Sequence, residues 1–246
     1  MCRGVRRRTR RARLLDGVSF AVPARMRLLV VSRPEESASL LLRVLAGLAR
    51  ARGDVELAGL TDPSRDGWAR RIAYVGPRSR LYGWMTPREI LVLAAQLAES
   101  RASTDEIERL AAELRFGDAL DVPISRGGPA LEQRVELAAA LLGDPEVLLL
   151  DEPLRALEPT ERLGLLRLPG RRCTVVLASR YPASEAGLCS HVAYLADGRL
   201  ALLGRLAELE TAGLPLTHRG LEEFAVRRRR AQPSIGARQP LPAPAR

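Results

Sequence analysis

The stretch Glu146-Val147-Leu148-Leu149-Leu150-Asp151-Glu152-Pro153 decides the fold of this chain. Its four consecutive aliphatic residues read as a core strand rather than a half-exposed one. The run stops at two carboxylates and a proline, which has no N–H for a further ladder bond. Asp151 and Glu152 therefore close a buried strand at the carboxyl edge of its sheet.

Working outward, residues 18–22 and 26–31 read as strands. Residues 38–49 read as a helix with Leu40, Leu41, Leu42, Val44, Leu45 and Leu48 on a broad apolar face. Strand, short loop and helix in that order is the setting of a phosphate-binding loop. Further strands are expected at 54–58 and 71–76, and helices at 87–98, 104–115 and 131–142. A helix at 159–166 follows, then strands at 173–178, 191–196 and 199–203. Asp197-Gly198 marks a tight turn between the last two. The alternation predicts an open α/β sheet with a helical insertion at about 82–143. The expected organisation is a basic segment 1–13, a body 14–212, a helical segment 213–230 and a disordered tail 231–246 rich in Pro, Ala, Gln and Arg.

The chain of 246 residues is long enough for one large α/β domain, and its 46% hydrophobic content supplies a core. No apolar run approaches the ~18 residues of a membrane-spanning helix. The N-terminus is basic without an apolar stretch behind it, so it is not read as a secretory signal. Cys2, Cys173 and Cys189 lack close metal-ligand spacing and read as free thiols. His191 and His218 read as isolated surface histidines. All 39 basic residues are arginine, and asparagine is absent too. The pattern fits a GC-rich genome, which makes the arginine count partly mutational. The net charge of +10 sits at the ends, since residues 1–13 carry seven arginines and no acid. Solvated, disordered ends are the simplest reading, and no aromatic residues interleave with the arginines as a nucleic-acid surface would need.

Several segments taken together resemble one family. They are Leu15-Asp16-Gly17-Val18-Ser19-Phe20, Leu42-Arg43-Val44-Leu45-Ala46-Gly47-Leu48, Leu81-Tyr82 with Met85-Thr86 and Arg88-Glu89, Arg134-Val135-Glu136-Leu137-Ala138, the acidic strand, and Ala196-Asp197-Gly198-Arg199-Leu200. In that order the chain resembles the ATP-binding subunits of ABC transporters, closest in style to bacterial exporter subunits. The resemblance implies a P-loop-NTPase-like α/β domain with a mostly parallel core sheet, an antiparallel β region and a helical insertion. It also implies ATP and Mg²⁺ as cofactors, a membrane permease as partner, a homodimer or a heterodimer with an intact ATPase subunit, and a cytoplasmic position peripheral to the membrane.

The same resemblance exposes departures. A phosphate loop of pattern G-x-x-x-x-G-K-[ST] wraps phosphate with backbone N–H groups and adds a lysine charge. Aligned on residues 42–48, this chain reads Ser32-Arg33-Pro34-Glu35-Glu36-Ser37-Ala38-Ser39. Ala38 stands at the lysine position, Ser32 and Ser37 at the glycines, and Ser39 where a hydroxyl would ligate Mg²⁺ beside Asp151. A carboxylate ~5 Å from a phosphate charge costs roughly 3 kcal/mol at an effective dielectric near 20. Glu35 and Glu36 therefore oppose ATP if they point inward and matter less if they point to solvent. Thr9 lies near the position of the adenine-stacking aromatic, Pro77 at the γ-phosphate-sensing glutamine and Arg180 at the switch histidine. The signature motif aligns with Gly127-Gly128-Pro129-Ala130-Leu131, with Ser125 offset, and Glu158 keeps a carboxylate after the acidic strand. By resemblance Asp151 supports Mg²⁺ and Glu152 polarises water, and both are read as vestigial here. The leading expectation is a pseudo-ATPase subunit with a structural or regulatory role. The alternatives are a working ATPase with an unusual phosphate loop and an arginine-tailed module for nucleic acid or anionic lipid, with nucleic acid disfavoured.

Overall fold

A computed structural model describes residues 1–8, 13–64, 67–78, 81–100, 102–167 and 173–231. The expected tail 231–246 falls almost wholly outside these residues, as does Thr9. In chain order the elements are β1 (Cys2–Arg8), β2 (Arg13–Phe20), β3 (Arg27–Arg33), α1 (Glu36–Leu45), β4 (Arg52–Val55), α2 (Trp68–Arg71), β5 (Ile72–Val75), α3 (Pro87–Leu97), α4 (Thr104–Glu113), α5 (Gly128–Leu142), β6 (Val147–Asp151), α6 (Pro159–Leu166), β7 (Thr174–Ala178), α7 (Pro182–Glu185), β8 (His191–Ala196), β9 (Arg199–Arg205), α8 (Leu206–Thr211) and α9 (His218–Ala231). They divide into two compact units, Met1–Pro63 with Thr174–Arg246, and Ser64–Cys173.

The first unit holds two kinds of sheet. Strands β7, β3 and β8 run parallel, and β9 closes on β8 as an antiparallel neighbour. Leu28, Leu29, Val30 and Val31 are all buried, as a strand bonded on both edges requires. The turn into β9 is the expected one. Asp197 (φ 47°) and Gly198 (φ 75°) both take left-handed backbone, and a Cβ on Gly198 would lie 2.7 Å from the Arg13 carbonyl. Strands β2, β1 and β4 form a separate antiparallel sheet in that order.

That second sheet corrects the reading of residues 1–13 as a solvated segment. Cys2 and Val5 are buried, while Arg3, Arg6, Arg7 and Arg8 are exposed. Two small apolar anchors suffice to pair the strand, and the arginines stay in water. Strand β4 also begins earlier than the 54–58 expected, and α1 covers Glu36–Leu45 rather than 38–49.

The second unit pairs β5 with β6 in parallel, with Ile72 opposite Val147 and Val75 opposite Leu150. Helices α3, α4 and α5 occupy the expected insertion. Helix α3 starts with a complete capping box: Thr86 accepts from the Glu89 N–H and the Glu89 carboxylate accepts from the Thr86 N–H. Arg88 on that first turn binds Asp121 at 2.8 Å and Glu108 at 3.1 Å. The Arg88 hydrogen bond to Asp121 holds that carboxyl below the usual range. No helix among the described residues is long and apolar enough to cross a membrane.

His191 is a second correction. It is 3% exposed, because it opens an interior strand. Its Nδ1 lies 2.9 Å from the Ser190 hydroxyl, and its Nε2 is buried with no hydrogen-bond partner among the described residues. His218 is half-buried, with its ring 6.2 Å from that of Tyr194. Burial pushes the His191 imidazole below its ordinary 6.5, and Arg205 acts in the same direction. A depressed folded-state value means that the unfolded chain takes up the proton first, so stability is lost as pH falls below 6.5. The melting temperature is expected to drop between about pH 7.5 and about pH 5.5, and His191→Leu to flatten that drop. An unchanged pH profile in the variant would remove His191 as the cause.

Candidate functional site

The loop between β3 and α1 carries the aligned phosphate-loop residues. Ser32, 2% exposed, ends the buried run of β3. Its hydroxyl accepts from the Ala38 N–H at 2.9 Å. The same hydroxyl lies 2.8 Å from the Pro34 carbonyl oxygen and 3.0 Å from that of Glu35, which share its single proton. The Ser37 N–H donates to the Pro34 carbonyl at 3.1 Å. Ser37 and Ala38 are buried on the first turn of α1, and the Ser37 hydroxyl has no hydrogen-bond partner among the described residues. Ser39 is half-buried on the same turn.

The charged residues of this loop point to solvent. Glu35 and Glu36 are exposed, and Glu35 pairs with Arg180 at 3.2 Å. Arg33 reaches Glu222 of α9 at 3.5 Å. Arg180, aligned with the switch histidine, therefore serves as counter-ion to a glutamate of the loop. Both pairs are substantially exposed, so each contributes little to stability.

In the second unit, β6 ends on Asp151, which is 1% exposed. The Tyr74 hydroxyl on the neighbouring strand β5 donates to its Oδ2 at 2.8 Å. Gly76 lets the ring lie close, since a Cβ there would sit 3.0 Å from the Tyr74 ring. Glu152 is half-buried with φ 47°, and Leu154 has φ 53°. Left-handed backbone at non-glycine residues is strained and survives only where surroundings enforce it. One enforcing contact is Gln133 of α5, a buried side chain whose Oε1 accepts from the Ala156 N–H at 2.8 Å. Glu158 is exposed at the start of α6.

The signature-aligned residues have local explanations. Gly127 packs so close to Leu131 that a Cβ would lie 2.1 Å from its side chain, and Gly128 has φ 68°. Glycine is needed there for packing and for conformation. Helix α5 starts without a side-chain cap, with Pro129 in its first turn. Ser125 is exposed and bonds through its N–H to the Gly83 carbonyl at 2.9 Å.

Sequence reasoning missed Tyr74, Gln133 and the position of the Ser32 hydroxyl. Tyr74 had a legible signal, a phenol on a strand bordering the acidic one. Ser32 acts on backbone groups two to six residues away and Gln133 on one 23 residues away, which spacing alone does not reveal.

Comparison with known proteins gives the family and the fold. Residues 15–155 match the family model for ABC transporters. An aliphatic sulfonates import ATP-binding protein, SsuB 1, of Rhizobium johnstonii is 30% identical over 77% of this chain and 70% of its own length. The Nod factor export ATP-binding protein I of Rhizobium meliloti is 30% identical over 78% of this chain, which spans 60% of that relative. The similar proteins thus carry names of both import and export systems. A solved ATP-binding subunit of an ABC transporter superposes with a TM-score of 0.76, at 23% identity, over 92% of this chain and 98% of that one, which shows the shared fold. The chain belongs to the ABC transporter family, as a relative of its ATP-binding subunits.

Proposed function

We propose that this chain is an ABC-type subunit that has given up ATP hydrolysis and serves its transporter as a structural or regulatory partner. The phosphate loop carries the reading. Ala38 occupies the lysine position, and the chain contains no lysine to substitute for it. Two N–H groups of the loop, on Ser37 and Ala38, are already bonded within it. The residues present do not fit the phosphates of ATP, which leaves Ser37, Ala38, Ser39, Asp151 and Glu152 outside any ATP or Mg²⁺ chemistry. Asp151 then has a structural task, anchoring the Tyr74 hydroxyl between β5 and β6.

The partner is a membrane permease, met on the cytoplasmic side. Support comes from Tyr82 and Trp84, which are 62% and 74% exposed with rings 5.9 Å apart. Exposed aromatics beside a helix start held by Arg88, Asp121 and Glu108 make a prepared contact surface. The second subunit of the pair is either another copy or an intact ATPase subunit. A working ATPase with an unusual loop is the competing reading, and it draws on Asp151 and on the strained turn at Glu152.

Equilibrium titration of the purified full chain with ATP, with and without Mg²⁺, distinguishes the two. The expected result is no binding up to about millimolar concentration, a free energy weaker than roughly −4 kcal/mol. Tight Mg²⁺-dependent binding would establish the competing reading instead. Coexpression with transporter subunits is expected to give a complex that Tyr82→Ala with Trp84→Ala disrupts without lowering the melting temperature. Persistence of the complex in that double variant would place the contact elsewhere. Tyr74→Phe is expected to destabilise the chain by about 2 kcal/mol in urea unfolding, the scale of a hydrogen bond to a charged group. A change below about 0.5 kcal/mol would deny Asp151 its structural task.

A further inference from the structure

A phosphate loop works by leaving its backbone N–H groups unused and aimed inward until an anion arrives. Three positions of this loop offer no such donor. Pro34 has no N–H. The Ser37 N–H is bonded to the Pro34 carbonyl and the Ala38 N–H to the Ser32 hydroxyl. That hydroxyl lies within 3.0 Å of the Pro34 and Glu35 carbonyl oxygens. Acceptors therefore converge where an anion site presents donors. Because Ser32 is 2% exposed and its bond with the Ala38 N–H is buried, water does not compete for that bond.

We propose that the Ser32 side chain is the stopper of this loop: its hydroxyl holds the Ala38 N–H that a phosphate oxygen would need and draws two carbonyl oxygens to the same point. An entering phosphate must expel the hydroxyl and leave those two carbonyls facing its own negative charge. Exclusion thus comes from bonds that are made, in addition to the lysine that is missing. A glycine at position 32 has no atom to place there, so one hydroxymethyl group separates an open loop from a shut one. The inference rests on the reading of the chain as a non-hydrolysing subunit and gives that reading a mechanism. It assigns to Ser32 a specificity role that the loss of lysine alone does not contain.

The test compares two repaired forms of the full chain. The first carries Glu35→Gly, Ser37→Gly and Ala38→Lys, and the second adds Ser32→Gly. The probe is inorganic tripolyphosphate, which has no base and so does not depend on adenine contacts, titrated calorimetrically with circular dichroism and melting curves as controls of folding. The first form is expected to show no binding up to about millimolar probe, and the second to bind at least about tenfold tighter. Equal binding by both forms overturns the proposal, and so does a folded second form that binds no better than the first. Should either form fail to fold, hydrogen exchange in the otherwise natural Ser32→Ala chain decides. The Ala38 amide is expected to exchange at least about tenfold faster while amides in the middle of β3 stay protected, and an unchanged Ala38 rate overturns the proposal. Tight Mg-ATP binding by the natural chain would instead sink the non-hydrolysing reading itself, an outcome separate from the contrast between the repaired forms.

Discussion

Strand β3 is hydrogen-bonded along both edges, to β7 from Arg27 to Val30 and to β8 from Leu28 to Arg33. The Ser179 N–H on the Val30 carbonyl and the Asp197 N–H on the Arg33 carbonyl extend that grip past the strand ends. Ser32 is therefore a fixed point in a water-free layer. Helix α1 is fixed as well, because Leu41, Leu42, Val44 and Leu45 are buried on its inner face. A loop strung between two immovable ends has little freedom to accommodate a side chain. What stands at position 32 decides what fills the loop, and a buried hydroxyl in reach of an N–H will bond to it, because leaving either group unpaired costs about 1–3 kcal/mol.

The same unit absorbs the charges around the loop. Glu222 of α9 accepts from the Tyr194 hydroxyl at 2.8 Å and meets Arg33 at 3.5 Å. Burial and that carboxylate push the Tyr194 phenol up. Arg228 further along α9 donates to the Leu203 carbonyl at 2.9 Å and pairs with Glu208. Arg33, the cation within the loop itself, is thus directed toward the carboxyl-terminal helix. Glu35 is matched by Arg180 on the segment that follows β7. With Arg33 and Glu35 each engaged by a neighbour of opposite sign, these two charges add little net field at the loop.

The fold was legible because it rests on runs and punctuation. Continuous apolar stretches gave β3, β6 and β8, and Asp197-Gly198 gave the turn into β9. Thr86 three residues before Glu89 marks the start of α3. Strand β1 was not legible, because Cys2 and Val5 are its only buried residues and four arginines disguise it. His191 was misread for a related reason: a polar residue opening an apolar strand is buried by its neighbours' pairing, not by its own chemistry. At the site, the identity of each replaced residue could be read, but its direction could not. Glu35 and Glu36 face water, and Ser32 faces inward, and no spacing rule distinguishes the two outcomes. They follow from which positions open α1 on its solvent side and which lie in the layer of β3.

The retained acids at the end of β6 are weaker evidence of catalysis than they first appear. Asp151 is almost wholly enclosed and holds the Tyr74 hydroxyl of the adjacent strand. Removing a buried carboxylate that has such a partner takes away an interior hydrogen bond, so folding alone gives the carboxylate a reason to stand there. The turn through Glu152 and Leu154 carries strain that Gln133 helps to maintain through Ala156, and a strained turn restricts which side chains can follow the strand. An acidic pair with such a structural task holds its place in the fold whether or not a phosphate loop uses it. In the loop itself, a serine that satisfies the Ala38 N–H stabilises the unit where a glycine would leave that donor unpaired.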